Sequence, residues 1–266
     1  MLVEQSLDRI NTLERKIHAQ QKHVDQINRT EQEGKQLILE NLEVGVENRV
    51  LFSVKNLSFD MGKVYAITGE SGCGKTSLLS KIKNIKENGV TGKGNIFYPV
   101  INDISPKIVM ISQQEYFPMH SSLLEIMLYP NHIPKDSKEL EEKRQKILFI
   151  LEEIGFEICD KTDSINNKKL DLNDIKDWYT ELSGGEKKKL FIASAIMQKP
   201  DILLLDEVFT NLDSESIILI QQMLKKYLPN TLMLIVDHHA CANNHDLFYD
   251  KVLVFSNGTL MIYNMQ

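Results

Sequence analysis

Val64-Tyr65-Ala66-Ile67-Thr68 runs directly into Gly69-Glu70-Ser71-Gly72-Cys73-Gly74-Lys75-Thr76, and the chain then continues SLLSKIKNI over residues 77–85. The first five residues read as a buried strand. The last nine place Leu78, Leu79, Ile82 and Ile85 on one broad face of a helix. Between them, the octet fits GxxxxGK[ST] at every fixed position and has the strand–loop–helix setting that pattern needs. Its glycines let the backbone curl around phosphate oxygens while successive N–H groups and the helix start face the negative charge. Lys75 can bridge the β- and γ-phosphates, and the Thr76 hydroxyl can coordinate Mg²⁺. Glu70 and Ser71 shape the loop. Cys73 reads as a small loop filler rather than a reactive thiol. The fold class that follows is α/β.

A phosphate cradle needs an acidic partner for its metal. Ile202-Leu203-Leu204-Leu205-Asp206-Glu207 delivers two carboxylates at the end of an apolar run suited to a central parallel strand. Asp206 would hold Mg²⁺ through water. Glu207, slightly beyond, would orient a water in line with the γ-phosphate and accept its proton. A second anion-binding surface lies between these motifs. In Leu182-Ser183-Gly184-Gly185-Glu186 a hydroxyl and two unobstructed glycine backbones stand just ahead of a helix. One nucleotide hardly needs two helix-terminal grips from the same chain. A head-to-tail pair resolves this, with the cradle of one copy and the LSGGE of the other on opposite sides of each ATP.

The chain resembles the nucleotide-binding domain of ATP-binding cassette (ABC) transporters. GESGCGKT is similar to the Walker A loop, ILLLDE to the Walker B strand with its following glutamate, and LSGGE to the signature motif. The resemblance covers residues 37–264. It implies a P-loop NTPase core with an inserted α-helical subdomain at about 120–187 and an antiparallel β part near the N-terminus. It also implies Mg-dependent hydrolysis of ATP. Gln113, with Gln114 as second choice, takes the role of a glutamine sensing the γ-phosphate side and the metal. Asp213 in Thr210-Asn211-Leu212-Asp213 would meet the opposite cradle. His238, with His239 as second choice, would contact the γ-phosphate.

The family often places an aromatic residue ahead of Walker A to stack on adenine. LEVGVENRVLF (42–52) has Val46 near that place and no aromatic before Phe52. This implies apolar contact to the base and loose discrimination between ATP and GTP. Within the family, Met110–Pro130 and Asp177–Glu207 resemble the branch of peroxisomal fatty-acyl transporters and bacterial SbmA/BacA-like proteins with fused ATPase domains. There a polar helix links a transmembrane domain to this one. Residues 1–36 read as such a helical linker, with Val3, Ile10, Ile17 and Val24 recurring every seven residues. The partner so implied is a transmembrane domain, fused upstream, at the cytoplasmic face of a membrane. A separate ATPase subunit docking on a distinct membrane protein is the alternative, as is a soluble ABC ATPase of translation or DNA repair.

Other features bound the reading. From residue 120 to 180 the pattern turns helical, with Ile147, Leu148, Leu151 and Ile154 on one face. Trp178 and Tyr179 read as packing residues of that insertion. Asn257-Gly258 predicts a hairpin turn within residues 251–264. A formal net charge of −6 gives no broad field for attracting DNA or RNA, and no nucleic-acid partner is expected. Cys73, Cys159 and Cys241 are far apart and odd in number, which indicates neither a disulfide framework nor a zinc site. No apolar run approaches the length of a spanning helix.

Overall fold

The computed structural model describes residues 25–47, 49–87, 89–101, 103–113, 117–118, 120–156, 171–238 and 248–264. In chain order it begins with strands β1 (Gln26–Glu33), β2 (Gln36–Val46), β3 (Arg49–Asp60) and β4 (Val64–Thr68), then helix α1 (Lys75–Lys83) and strand β5 (Val90–Val100). Next come β6 (Ile108–Ile111), β7 (Ser121–Ser122), α2 (Leu123–Leu128), α3 (Ser137–Glu153), β8 (Ile175–Lys176), α4 (Trp178–Glu181) and α5 (Gly184–Gln198). The chain closes with β9 (Ile202–Asp206), α6 (Ser214–Tyr227), β10 (Leu232–Val236), β11 (Lys251–Ser256) and β12 (Thr259–Asn264). Two compact units divide these elements. One holds residues up to Pro106 and from His238 onward; the other holds Lys107–Asp237.

The first unit contains the antiparallel part that the sequence implied. β2 pairs antiparallel with both β3 and β5. Its side chains show how the register is kept. Leu37 and Leu39 are buried, and so are Leu42 and Val44, so the alternation slips by one residue midway. The slip falls at Asn41, whose φ of 48° is left-handed, and the ladder to β5 shifts register between Glu40 and Glu43. A bulge here restores the apolar face after one extra residue. It also dictates Gly94 opposite. A Cβ there would lie 2.3 Å from the Asn41 carbonyl oxygen, and φ at Gly94 is 122°. Farther on, β4 pairs parallel with β11, which turns back into β12 through Asn257 (φ 49°) and Gly258 (φ 73°). Two successive positive φ angles are what a two-residue hairpin turn requires.

The helical reading of residues 1–36 needs correction where it can be compared. Residues 1–24 lie outside the described residues, and Gln26–Glu33 is a strand, paired parallel with β5 from Gln26↔Lys93 to Glu33↔Val100. The ladder offers a partner for every residue of β1, whereas the seven-residue stripe was interrupted by polar positions and named no helix to pack on. Buried anchors fix the strand. Ile27 is buried. Asp25 accepts from the Gly92 amide at 2.7 Å and lies 3.4 Å from the ammonium of Lys81, which is 1% exposed on α1.

In the second unit, β9 pairs parallel with β10 on one side and β6 on the other. Every residue of β9 is buried, which accounts for its unbroken apolar run. Between β6 and β9, helices α2 and α3 both pack on α5. Asp136 caps α3 by accepting from the Glu139 amide at 2.8 Å, and Ile147, Ile150 and Leu151 form its buried face with Ile154 just beyond. Leu148, expected on that face, is only half-buried. Trp178 is buried, and its indole N–H donates to the Ser121 carbonyl at 2.8 Å. Tyr179, expected to pack beside it, is exposed, with the Lys187 ammonium 4.0 Å from its ring centroid. Trp178→Ala is expected to cost about 3–5 kcal/mol of stability, read by chemical denaturation, because a large buried ring and an indole hydrogen bond go together. Among the described residues no helix is long and apolar enough to cross a membrane.

Candidate nucleotide site

The loop after β4 is built around its glycines. A Cβ on Gly69 would lie 2.7 Å from Phe255 Cβ, and one on Gly74 would lie 2.8 Å from the Phe52 ring. Those two aromatics meet edge-on, 5.3 Å between centroids, and form a wall against which only bare backbone fits. Gly72 meets no such wall, but its φ of 75° still disfavours a side chain. Inside the ring so formed, the Lys75 side chain is buried and its ammonium donates to the carbonyls of Gly69 (3.0 Å) and Glu70 (2.8 Å). The Cys73 sulfur lies 3.9 Å from the same nitrogen. Helix α1 starts at Lys75 with no side-chain cap on its first turn, where Thr76 is exposed. Uncapped amides, a held ammonium and a glycine ring together fit a chain of phosphates.

A cavity of about 440 Å³ adjoins the loop, lined by Glu70 to Cys73, by Arg49, Val50 and Leu51 of β3, and by Phe255 to Gly258. Val50, 53% exposed, stands there instead of the expected Val46. The reason is local: the β2–β3 turn leaves Val46 on β2, where it pairs with Arg49 and with Val90.

The second unit gathers a different set. Asp206 ends β9 at 2% exposure. Glu207 follows with φ 54°, a left-handed conformation rare for a side chain of this size, and its amide donates to the Val236 carbonyl at 3.3 Å. The carboxamide nitrogen of Gln113 donates to Glu207 Oε2 at 3.0 Å. That bond leaves the Gln113 amide oxygen available for a metal. A buried Asp206 carboxylate and an amide oxygen are hard donors of the kind Mg²⁺ takes when phosphates supply the rest. These residues share a cavity of about 510 Å³ with Gly184, Gly185 and Lys188 of α5 and with Thr210 and Asn211.

Ser183 and Asp213 are both helix caps. Ser183 Oγ accepts from the Glu186 amide (3.3 Å), and Glu186 Oε2 accepts in return from the Ser183 amide (2.8 Å). This capping box uses a lone pair of the hydroxyl, so its proton remains able to donate. Asp213 accepts from the Ser216 amide (2.8 Å) and hydroxyl (2.7 Å). The amide bond first, then the hydroxyl, holds its carboxyl below the usual carboxylate range. His238 stands two residues past the end of β10 and is exposed; Gln114 and His239 lie outside the described residues. Sequence reading did not single out Lys188, and took Thr210 and Asn211 only as the lead-in to Asp213. One signal was present: Lys188 stands one helical turn past Gly184, on the same face.

Residues 52–210 match the family model described as ABC transporter. The chain belongs to this family, as an ATPase domain. It is 31% identical over 226 residues to the phosphate import ATP-binding protein PstB 1 of Ligilactobacillus salivarius, covering 82% of this chain and 80% of that protein. The glutamine transport ATP-binding protein GlnQ of Bacillus subtilis is 27% identical over 77% of this chain and 81% of its own length. ABC transporter G family member 22 of Arabidopsis thaliana is 28% identical over 85% of this chain, which spans only 29% of that protein.

Proposed function

We propose that the chain hydrolyses ATP as one half of a head-to-tail pair whose ATP-dependent closure drives transport through a membrane partner, at that membrane's cytoplasmic face. The observation that carries this reading is that one chain has two separate helix starts suited to gripping phosphate. The uncapped start of α1 with Lys75 is one. The glycine start of α5, opening on the cavity of Gln113 and Glu207, is the other. In the closed pair Lys75 holds the β/γ-phosphates, and Ser183, Gly184 and Gly185 of the opposite copy donate to the γ-phosphate from its far side. Gln113 and Glu207 orient the attacking water, Glu207 takes its proton, and His238 contacts the γ-phosphate. Mg²⁺, when bound by Thr76 and, through water, by Asp206, with Gln113 beside it, supplies Lewis-acid neutralisation of the phosphate oxygens. Asp213 would reach the opposite cradle on closure by leaving its capping bonds to Ser216.

Two attachments to the membrane are open to such a domain. Relatives named as ATP-binding proteins, matched over most of their length, favour a separate subunit that docks on a distinct membrane protein. The fused half-transporter of the fatty-acyl and SbmA/BacA-like branch rests on the segments Met110–Pro130 and Asp177–Glu207, on the lack of an aromatic before Phe52, and on the linker reading of residues 1–36. Strand β1 at residues 26–33 removes part of the linker helix that supported it. Coding sequence for several apolar spans upstream of Met1 decides for fusion.

Ser183→Arg tests the pairing. The expected result is nucleotide binding by the single chain at its usual affinity, with no rise in mass on adding Mg·ATP. A variant that still pairs contradicts the head-to-tail arrangement, since a long cation at the signature start blocks the opposite nucleotide.

A further inference from the structure

Lys188 lines the cavity of Glu207 without belonging to either phosphate motif. Its ammonium donates to the carbonyl of Thr210, a charge-assisted bond from α5 to the loop between β9 and α6. The Thr210 amide in turn donates to the Glu207 carbonyl at 3.2 Å. Residues 207–210 therefore form a closed turn whose far end is tied to the signature helix. The backbone on both sides of this tie is unusual: Glu207 has φ 54° and Asn211 φ 62°. Non-glycine residues persist in this region only where surrounding contacts over-determine them. Lys188 supplies one such contact from outside the turn. The Leu212 side chain lies beside the same helix start: a Cβ added to Gly185 would stand 3.4 Å from Leu212 Cδ2. The signature helix and the turn that begins at Glu207 are thus tied through Lys188, with Leu212 beside the glycines.

We infer that Lys188 is a positioning residue that couples the two nucleotides of the pair, by transmitting the seating of the signature start on one nucleotide to the placement of Glu207 on the other. The inference rests on the head-to-tail reading above. In that arrangement α5 grips the partner's ATP, while Glu207 of the same chain acts on its own. A shift of the α5 start on engagement reaches Glu207 through Lys188 and Thr210, with Leu212 as the second strut. Glu207 is then set for in-line attack only when the opposite site is filled.

The test compares Lys188→Met with Lys188→Arg, and adds Leu212→Ala, which loosens the second strut without touching charge. In the nucleotide-free chain, Lys188→Met is expected to speed amide hydrogen exchange at Thr210 and Leu212 by about tenfold or more. In turnover it lowers kcat by ~10–10² through misplacement of Glu207, leaves KM for ATP nearly unchanged, and gives a hyperbolic dependence of rate on ATP where the unaltered pair is expected to give a sigmoidal one. Lys188→Arg restores all of these, and Leu212→Ala reproduces them in weaker form. Unchanged exchange at Thr210 in Lys188→Met overturns the inference, as does sigmoidal turnover in both Lys188→Met and Leu212→Ala. The pairing itself is checked apart, by the mass of Glu207→Gln with Mg·ATP. If that variant stays single, the head-to-tail reading falls and the coupling with it; if it pairs, a failure in the Lys188 series counts against the coupling alone.

Discussion

Glu207→Gln is expected to bind Mg·ATP as tightly as the unaltered chain while turning it over about 10² or more times more slowly, the scale of a positioned general base. The substitution preserves nearly everything around the residue. Glutamine has the same length and retains an oxygen to accept from Gln113 Nε2, now 3.0 Å from the carboxylate. The backbone at φ 54° and the amide bond to Val236 do not depend on the side-chain charge. Asp206 is untouched, so a metal held there would keep its carboxylate. What disappears is the ability to take a proton from the attacking water. On the proposed head-to-tail reading the closed pair then persists, because the γ-phosphate that would join the two copies is not removed. Mass in solution read with and without Mg·ATP should show a stable dimer only with nucleotide. Turnover at the usual rate in this variant removes Glu207 as the base and returns the role to another group in the same cavity.

Which of these features the sequence discloses depends on how local their cause is. The strand, loop and helix from Val64 to Lys83 are legible because each rests on its own pattern: a buried run, glycines with a fixed spacing, then a helical face. β9 is legible for the same reason, as is the turn at Asn257-Gly258. β1 was not, since its support is the ladder to β5, more than sixty residues away by the register Gln26↔Lys93, and its own residues are mostly polar. The bulge at Asn41 and its need for Gly94 are equally non-local. Ser183 carried two messages at once. Ser-x-x-Glu is a capping box, and the same residues read as an anion grip; sequence reading took the second and passed over the first. Lys188 shows the remaining gap. A lysine in a run of three on a helix reads as a solvated face, and only the return of Thr210 toward α5 reveals what one of the three holds.

Lys75→Ala should act at the opposite end of the cycle, on binding rather than chemistry. The ammonium now closes the loop on itself by donating to the Gly69 and Glu70 carbonyls, from a side chain only 6% exposed. Phosphate oxygens are stronger acceptors than these carbonyls, so nucleotide entry exchanges neutral acceptors for charged ones with little movement of the lysine. Hydrogen bonds to charged groups contribute about 1.5–3 kcal/mol each, and loss of even one corresponds to a Kd weaker by ~10–10². Alanine also leaves the two carbonyls without their ammonium donor in a loop whose glycines allow many conformations, so the free chain should melt earlier as well. The two readouts separate causes. A weaker Kd with an unchanged melting temperature assigns the ammonium to the phosphates alone. A lower melting temperature with unchanged affinity makes Lys75 a loop strut, and the phosphate grip of the first unit must then lie in the glycine backbone and the amides of α1.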